Sequence, residues 1–118
     1  MNIEKYLIKK DKTDLLSSLK ALDEKILKEQ MKKEGARNIR ELKSEIIDKF
    51  DMLLSFSKDD IFTRMYFDKL IRNENSMFMS AYEQDIESLF VFVYDNGSHY
   101  SYFIPDEIRK IIIKTFDF

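Results

Sequence analysis

Apolar residues recur at helical spacing through most of the chain and change to an unbroken run near its end. Ile3, Tyr6, Leu7 and Ile8 predict a short amphipathic helix within residues 1–10, and Asp14, Leu15, Leu16 and Leu19 a second over 14–21. Asp23 reads as an N-cap, because its carboxylate can accept from backbone N–H groups two or three residues on. After it, Ile26, Leu27, Gln30 and Met31 keep to one helical face, and Gly35 stands where a helix ends in a left-handed residue. Asn38 and Glu41 have the spacing of a capping box, predicting a helix that turns Ile39, Leu42, Ile46, Ile47 and Phe50 inward. Ser57 and Asp60 repeat that spacing, with Phe56 and Ile61 placed as a hydrophobic staple. The helix they open presents Ile61, Met65, Leu70 and Ile71, with Phe62, Tyr66 and Phe67 beside them, and ends in the polar stretch 73–76. Residues 51–57 are the one candidate seam. A further helix is expected from about Ser80, with Tyr82, Ile86 and Leu89 on one side.

The strongest local signal is a β-hairpin. Residues 89–94 are β-branched and aromatic, Asn96-Gly97 is the preferred pair of a type I′ turn with positive φ at both positions, and 100–104 return. Two-residue closure at that pair sets Asp95 opposite Ser98, Tyr94 opposite His99 and Val93 opposite Tyr100. Both faces of this ribbon are apolar, so it is covered on both sides, gains a strand or offers a face to a partner. One face is expected beneath the last helix and the other beneath the helices before the hairpin; any patch left bare would drive a homodimer. Pro105 fits the first position of that last helix, with Asp106 and Glu107 at its positive end and Ile108, Ile111, Ile112 and Phe116 as its stripe.

Composition narrows the chemistry. The 118 residues suit one domain, 1–118, and the fold class read from the pattern is mostly α (α+β): a small helical bundle with one C-terminal hairpin. With no Cys, thiol catalysis and thiolate metal sites are excluded; with one His, so is any site of two imidazoles. No apolar run approaches a membrane span, and a cytoplasmic protein is the expectation. Lys, Ile and Asn usage points to an AT-rich bacterial or phage genome.

The net charge of −2 hides an asymmetry. Residues 1–50 carry 13 Lys and Arg against 10 Asp and Glu, whereas 51–118 carry 7 against 12. Tyr6 is the one aromatic before Phe50. A Lys-rich helical subregion, 14–50, thus precedes an acidic, aromatic-rich helix–hairpin–helix subregion, 57–118. Lys25, Lys28, Lys32, Lys33, Arg37, Arg40 and Lys43 form the basic cluster, which attracts phosphates only where most of them share one surface.

Leu19, Leu22, Ile26, Leu27, Met31, Gly35, Ile39, Leu42, Lys43, Ile46 and Ile47 form a pattern that resembles the small N-terminal helical domain of the transcription terminator Rho. That domain is a relative of the SAP and LEM helix–extended-loop–helix modules, and the resemblance covers about residues 15–50. It implies nucleic-acid contacts, to DNA or RNA, by Lys32, Lys33, Arg37, Arg40 and Lys43. Ala36 departs from it, standing where a larger apolar residue is usual, and Glu29, Glu34 and Glu41 dilute the positive face. The back half is similar to a winged helix in element order alone, which carries no function.

No catalytic, cofactor or metal motif emerges. His99 reads as a hairpin side chain, Asp59-Asp60 and Asp106-Glu107 as helix N-terminal acids, and Gly35 and Gly97 are too few for a phosphate loop. The function expected is therefore non-enzymatic: a small regulatory protein binding nucleic acid through the basic helix–loop–helix region. The alternative is a phage- or mobile-element-encoded adaptor or inhibitor that binds a protein through Tyr94, Tyr100 and Tyr102.

Overall fold

The computed structural model describes residues 3–76 and 88–118. A 3-10 turn, Ile3–Tyr6, leads into β1, Leu7–Ile8. Four helices follow: α1, Leu15–Ala21; α2, Glu24–Glu34; α3, Ile39–Ser57; and α4, Ile61–Arg72. Strands β2, Phe92–Asp95, and β3, Tyr100–Phe103, precede α5, Asp106–Phe116. The fold is mostly α with one small sheet, as the pattern predicts; the helix expected from about Ser80 lies outside the described residues. Among the described residues no helix is long and apolar enough to cross a membrane.

Caps fix the helix ends. Asp23 accepts from the N–H of Lys25 and Ile26 at 3.0 and 3.4 Å, and α2 closes on Gly35 at φ 69°. Asn38 Oδ1 accepts from Glu41 N–H at 3.0 Å, but the returning carboxylate takes the Arg37 N–H instead of completing the box. At α1 the cap is Asp14, which accepts from Ser17 N–H at 2.9 Å. That bond holds the Asp14 carboxyl below the ordinary range, so its contribution is full above that range and is lost as pH falls from there through the lowered folded-state value.

Three expectations about the helices are corrected. First, in place of the amphipathic helix expected within residues 1–10, Ile3–Tyr6 form a single 3-10 turn and Leu7–Ile8 a strand. The open edge of β2 offers unpaired backbone groups, and β1 pairs with it in parallel, Leu7 beside Val93 and Ile8 beside Tyr94. Second, 51–57 is no seam. Ile46, Phe50 and Leu54 continue one buried stripe, and Ser55 and Ser57 return their hydroxyls to the carbonyls of Asp51 and Leu53 at 2.9 and 2.8 Å. Ser57 is therefore the last residue of α3, and Asp60 caps α4 by accepting from Phe62 N–H. Third, Pro105 sits at the N-cap of α5, one position earlier than expected.

The hairpin forms two residues out of the expected register and begins at Phe92, after Leu89 turns the chain at φ 60°. Asp95 stands opposite Tyr100, Val93 opposite Tyr102 and Phe92 opposite Phe103. Positive φ falls on Gly97, at 103°, and not on Asn96. Asn96 spends its side chain within the turn, accepting from the N–H groups of Ser98 and His99 at 3.2 Å each. Its own N–H donates to the His99 carbonyl at 3.1 Å, which puts Gly97-Ser98 at the tip, the arrangement in which Gly leads the pair. Because side chains alternate with period two, the slip preserves both faces.

The sheet runs β1-β2-β3, and both of its faces are closed. Phe92, Val93, Ser101, Tyr102 and Phe103 are all buried. On one face the Tyr102 hydroxyl donates to the Leu70 carbonyl of α4 at 3.0 Å. Over the other, Lys10 Nζ lies 4.7 Å from the Tyr94 ring and 5.0 Å from that of Phe103. The outer edge of β3 is sealed as well: Asn75 N–H donates to the Tyr102 carbonyl at 2.8 Å, and Ile104 N–H to Glu74 Oε1 at 2.9 Å. Helix α5, expected over one hairpin face, packs mainly on α3, α1 and α4. Glu107 ties that corner together: Oε1 accepts from Leu15 N–H at 2.9 Å, and Oε2 stands 3.3 Å from Lys43 Nζ.

A Cβ at Gly97 meets nothing within 4 Å, so any cost of substitution there is backbone strain. Gly97→Val is expected to lower unfolding free energy by about 1–2 kcal/mol in urea titration, because a β-branched residue resists positive φ. Gly97→Asn, which tolerates that region, is expected to cost less.

Candidate protein-interaction face

The structure separates the basic cluster into engaged and free groups. Arg37 Nε donates to both Glu41 carboxylate oxygens at 3.2 Å, which holds the Glu41 carboxyl below its ordinary range. Lys43 is tied to Glu107, Lys28 to Glu24 at 3.1 Å, and Lys49 to Glu34 at 2.7 Å. The Lys43 and Lys49 pairs join α3 to α5 and to α2. Lys32 and Lys33 occupy the last turn of α2, where cations complement the negative end of the helix. Among the described residues no ion pair engages Lys25, Lys32, Lys33 or Arg40. Beside Arg40, the groove of about 350 Å³ at the α2–α3 turn is lined by Glu41 and Glu45 as well as by Gly35 and Asn38. A phosphate entering there meets carboxylates.

The tyrosines are not grouped on the surface either. Tyr102 is fully buried, and its hydroxyl satisfies one of the last carbonyls of α4, which has no partner within the helix. Tyr94 is half-buried beneath Lys10 and donates its hydroxyl to Asn75 Oδ1 at 2.9 Å. Tyr100 is half-buried at the start of β3. His99 is absorbed by the turn, its ring nitrogens 2.9 Å from Asn96 Nδ2 and 3.0 Å from Ser98 Oγ. Among the described residues no cluster of His, Asp and Glu is arranged to hold a metal ion.

What stands out is apolar. Met52, Leu53 and Phe56 at the end of α3 are 60, 47 and 86% exposed, and Ile61, Phe62 and Met65 at the start of α4 are 65, 76 and 52% exposed. Each triplet follows i, i+1, i+4, which is one face of a helix. Leu53 and Phe62 meet across a groove of about 420 Å³ whose other walls are Ser57, Thr63, Tyr66 and Phe67. Phe56 and Ile61 thus make no buried staple, and Ile61 and Met65 lie outside the α4 stripe expected to bury them. Leu70 is buried as expected, Phe67 takes the inward position beside it, and the T-shaped Phe50–Phe67 pair anchors α4 to α3 at 5.7 Å.

The signal for this face was present in the sequence. Both helices carry apolar residues on two sides there, with Leu53 next to Leu54 in α3 and Ile61, Phe62 and Met65 in addition to Phe67 and Leu70 in α4. A helix apolar on two sides cannot bury both against one core. No family model, curated protein or solved structure matches the chain.

Tyr102→Phe is expected to lower stability by about 1–2 kcal/mol, since the Leu70 carbonyl is left buried without its donor. Arg37→Ala together with Arg40→Ala is expected to shift it by less than about 1 kcal/mol, because both side chains sit at the surface. Thermal and urea unfolding of the two variants give the comparison directly.

Proposed function

We propose that this chain is a non-enzymatic protein-interaction module that docks a partner on the apolar face formed by the end of α3 and the start of α4. The observation that supports this reading is the exposure of six large apolar side chains at the end of α3 and the start of α4, two of which, Leu53 and Phe62, line a groove between the helices. Patches of that kind on soluble proteins mark interaction sites. An aromatic-walled groove between two helices suits an apolar side chain inserted from a partner helix. The reading keeps the adaptor or inhibitor role and moves its surface from Tyr94, Tyr100 and Tyr102 to the α3–α4 corner.

Nucleic-acid binding through the Lys-rich helix–loop–helix is the second reading. It is favoured by Lys32, Lys33 and Arg40, which no ion pair engages among the described residues, and weakened by the pairing of Arg37 and Lys43.

Two measurements divide these readings. A photo-crosslinking amino acid placed at Phe56 or Phe62, in cells making the chain at its natural level, is expected to give discrete adducts; at Lys33 or Arg40 it is expected to give none. Anisotropy titrations with duplex DNA and single-stranded RNA at low salt are expected to show no binding. Salt-dependent binding with a log–log slope of roughly −3, flattened by about two units in the Arg37→Ala, Arg40→Ala variant, would favour the nucleic-acid reading instead.

A further inference from the structure

We infer that the hairpin tip is a site of self-modification, at which the Asn96 side-chain amide closes on the Gly97 backbone nitrogen, expels ammonia and is then opened by water. The attacking nitrogen, the carbonyl it attacks and the group that leaves each have a partner suited to that step. Asn96 and Gly97 are both exposed, so water reaches them.

The nucleophile is the Gly97 nitrogen. Its N–H donates to Asp95 Oδ1 at 2.9 Å, within the reach of a general base. An amide nitrogen attacks only as its proton leaves, and this carboxylate stands where that proton goes. No side chain crowds the approach, since glycine carries none. Asn38, Asn73 and Asn75 precede Ile39, Glu74 and Ser76, each of which has a side chain beside the corresponding nitrogen.

The electrophile is the Asn96 carboxamide. Its Oδ1 accepts from the backbone N–H groups of Ser98 and His99 at 3.2 Å each. Negative charge develops on that oxygen as the nitrogen adds to Cγ, and donors already aimed at it stabilise the charge. The same bonds hold the carboxamide in place, so its ordering is complete before reaction. The leaving nitrogen, Nδ2, donates to Ser101 Oγ at 2.7 Å and lies 2.9 Å from His99 Nε2. That imidazole is placed to pass a proton to Nδ2 as its bond to Cγ breaks.

The step balances. The Gly97 N–Cγ bond forms and the Cγ–Nδ2 bond breaks. The Gly97 proton passes through Asp95 to solvent, and the departing nitrogen takes up one proton and leaves as ammonia. The resulting succinimide is opened by water. Opening at Cγ gives aspartate; opening at the main-chain carbonyl gives isoaspartate, with the chain running through Cγ. Either product sets a second carboxylate next to Asp95 and removes the Nδ2 bond to Ser101.

Peptide mapping by mass spectrometry of the folded full chain, kept in neutral buffer for several weeks, tests the inference. A gain of about 1 Da, from amide to acid, is expected at Asn96, with isoaspartate among the products. Asn38, Asn73 and Asn75 are expected to keep their amides. Because the partners are brought together by the fold, the same chain unfolded in guanidinium chloride is expected to react about 10-fold more slowly. Asp95→Asn keeps an oxygen to accept from the Gly97 N–H but cannot take its proton. It is expected to leave the circular dichroism spectrum and the unfolded rate unchanged, and to slow the folded reaction at Asn96 about 10-fold. An Asn96 that keeps its amide in the folded chain overturns the inference. So does one that reacts no faster folded than unfolded, or as fast in the Asp95→Asn variant.

Discussion

The hairpin is apolar on both faces, and that constraint organises the rest of the molecule. A ribbon carrying Phe92, Val93, Tyr102 and Phe103 cannot leave either side in water without exposing aromatic and branched surface. The chain meets the constraint from several directions. Leu7 and Ile8, expected in a helix, supply β1, α4 offers the Leu70 carbonyl to the Tyr102 hydroxyl, and Lys10 lies over Tyr94 and Phe103. Glu74 and Asn75 then take the polar groups of the β3 edge, where an open strand would pair with another chain. Asn75 does so from φ 68°, a conformation Asn tolerates better than most residues.

Polar contacts then lock the helices to this sheet-centred core. Glu107 joins three elements at once, closing the start of α1, holding Lys43 of α3 and standing in the first turn of α5. Thr13 and Asp106 reinforce the same corner, both through a hydroxyl–carboxylate bond of 2.9 Å and through the Asp106 N–H donated to the Thr13 carbonyl. Arg109 pairs with Glu74, the residue that seals Ile104. Several of the charges that read as a solvated or phosphate-binding surface in the sequence are thus joints between elements. With the sheet closed and these cations engaged, most of the large exposed apolar side chains among the described residues are at the α3–α4 corner.

Local rules carried the reading where the determinants were local. Asp23, Gly35 and Asn38 act within four residues of themselves, so their caps could be read directly. The two hairpin faces were legible because alternation survives a two-residue slip; the register was not, because the Asn96 side chain competed with the turn its backbone would have made. β1 was invisible because two residues of strand exist only through a partner more than 80 positions away. The exposed side of α4 was not legible for a related reason. Periodicity shows that Ile61, Phe62 and Met65 are apolar positions of a helix, but which side of α4 meets the core was decided by Phe67 against Phe50.

The central claim is that the hairpin is interior and the α3–α4 corner is the outward apolar surface. Radical footprinting of the dilute full chain, read residue by residue by mass spectrometry, tests it most directly. The account predicts heavy labelling at Met52, Phe56, Phe62 and Met65, with Phe92, Tyr102 and Phe103 protected. Strong labelling of Tyr102 and Phe103 in the folded chain, with the α3–α4 residues protected, would contradict it.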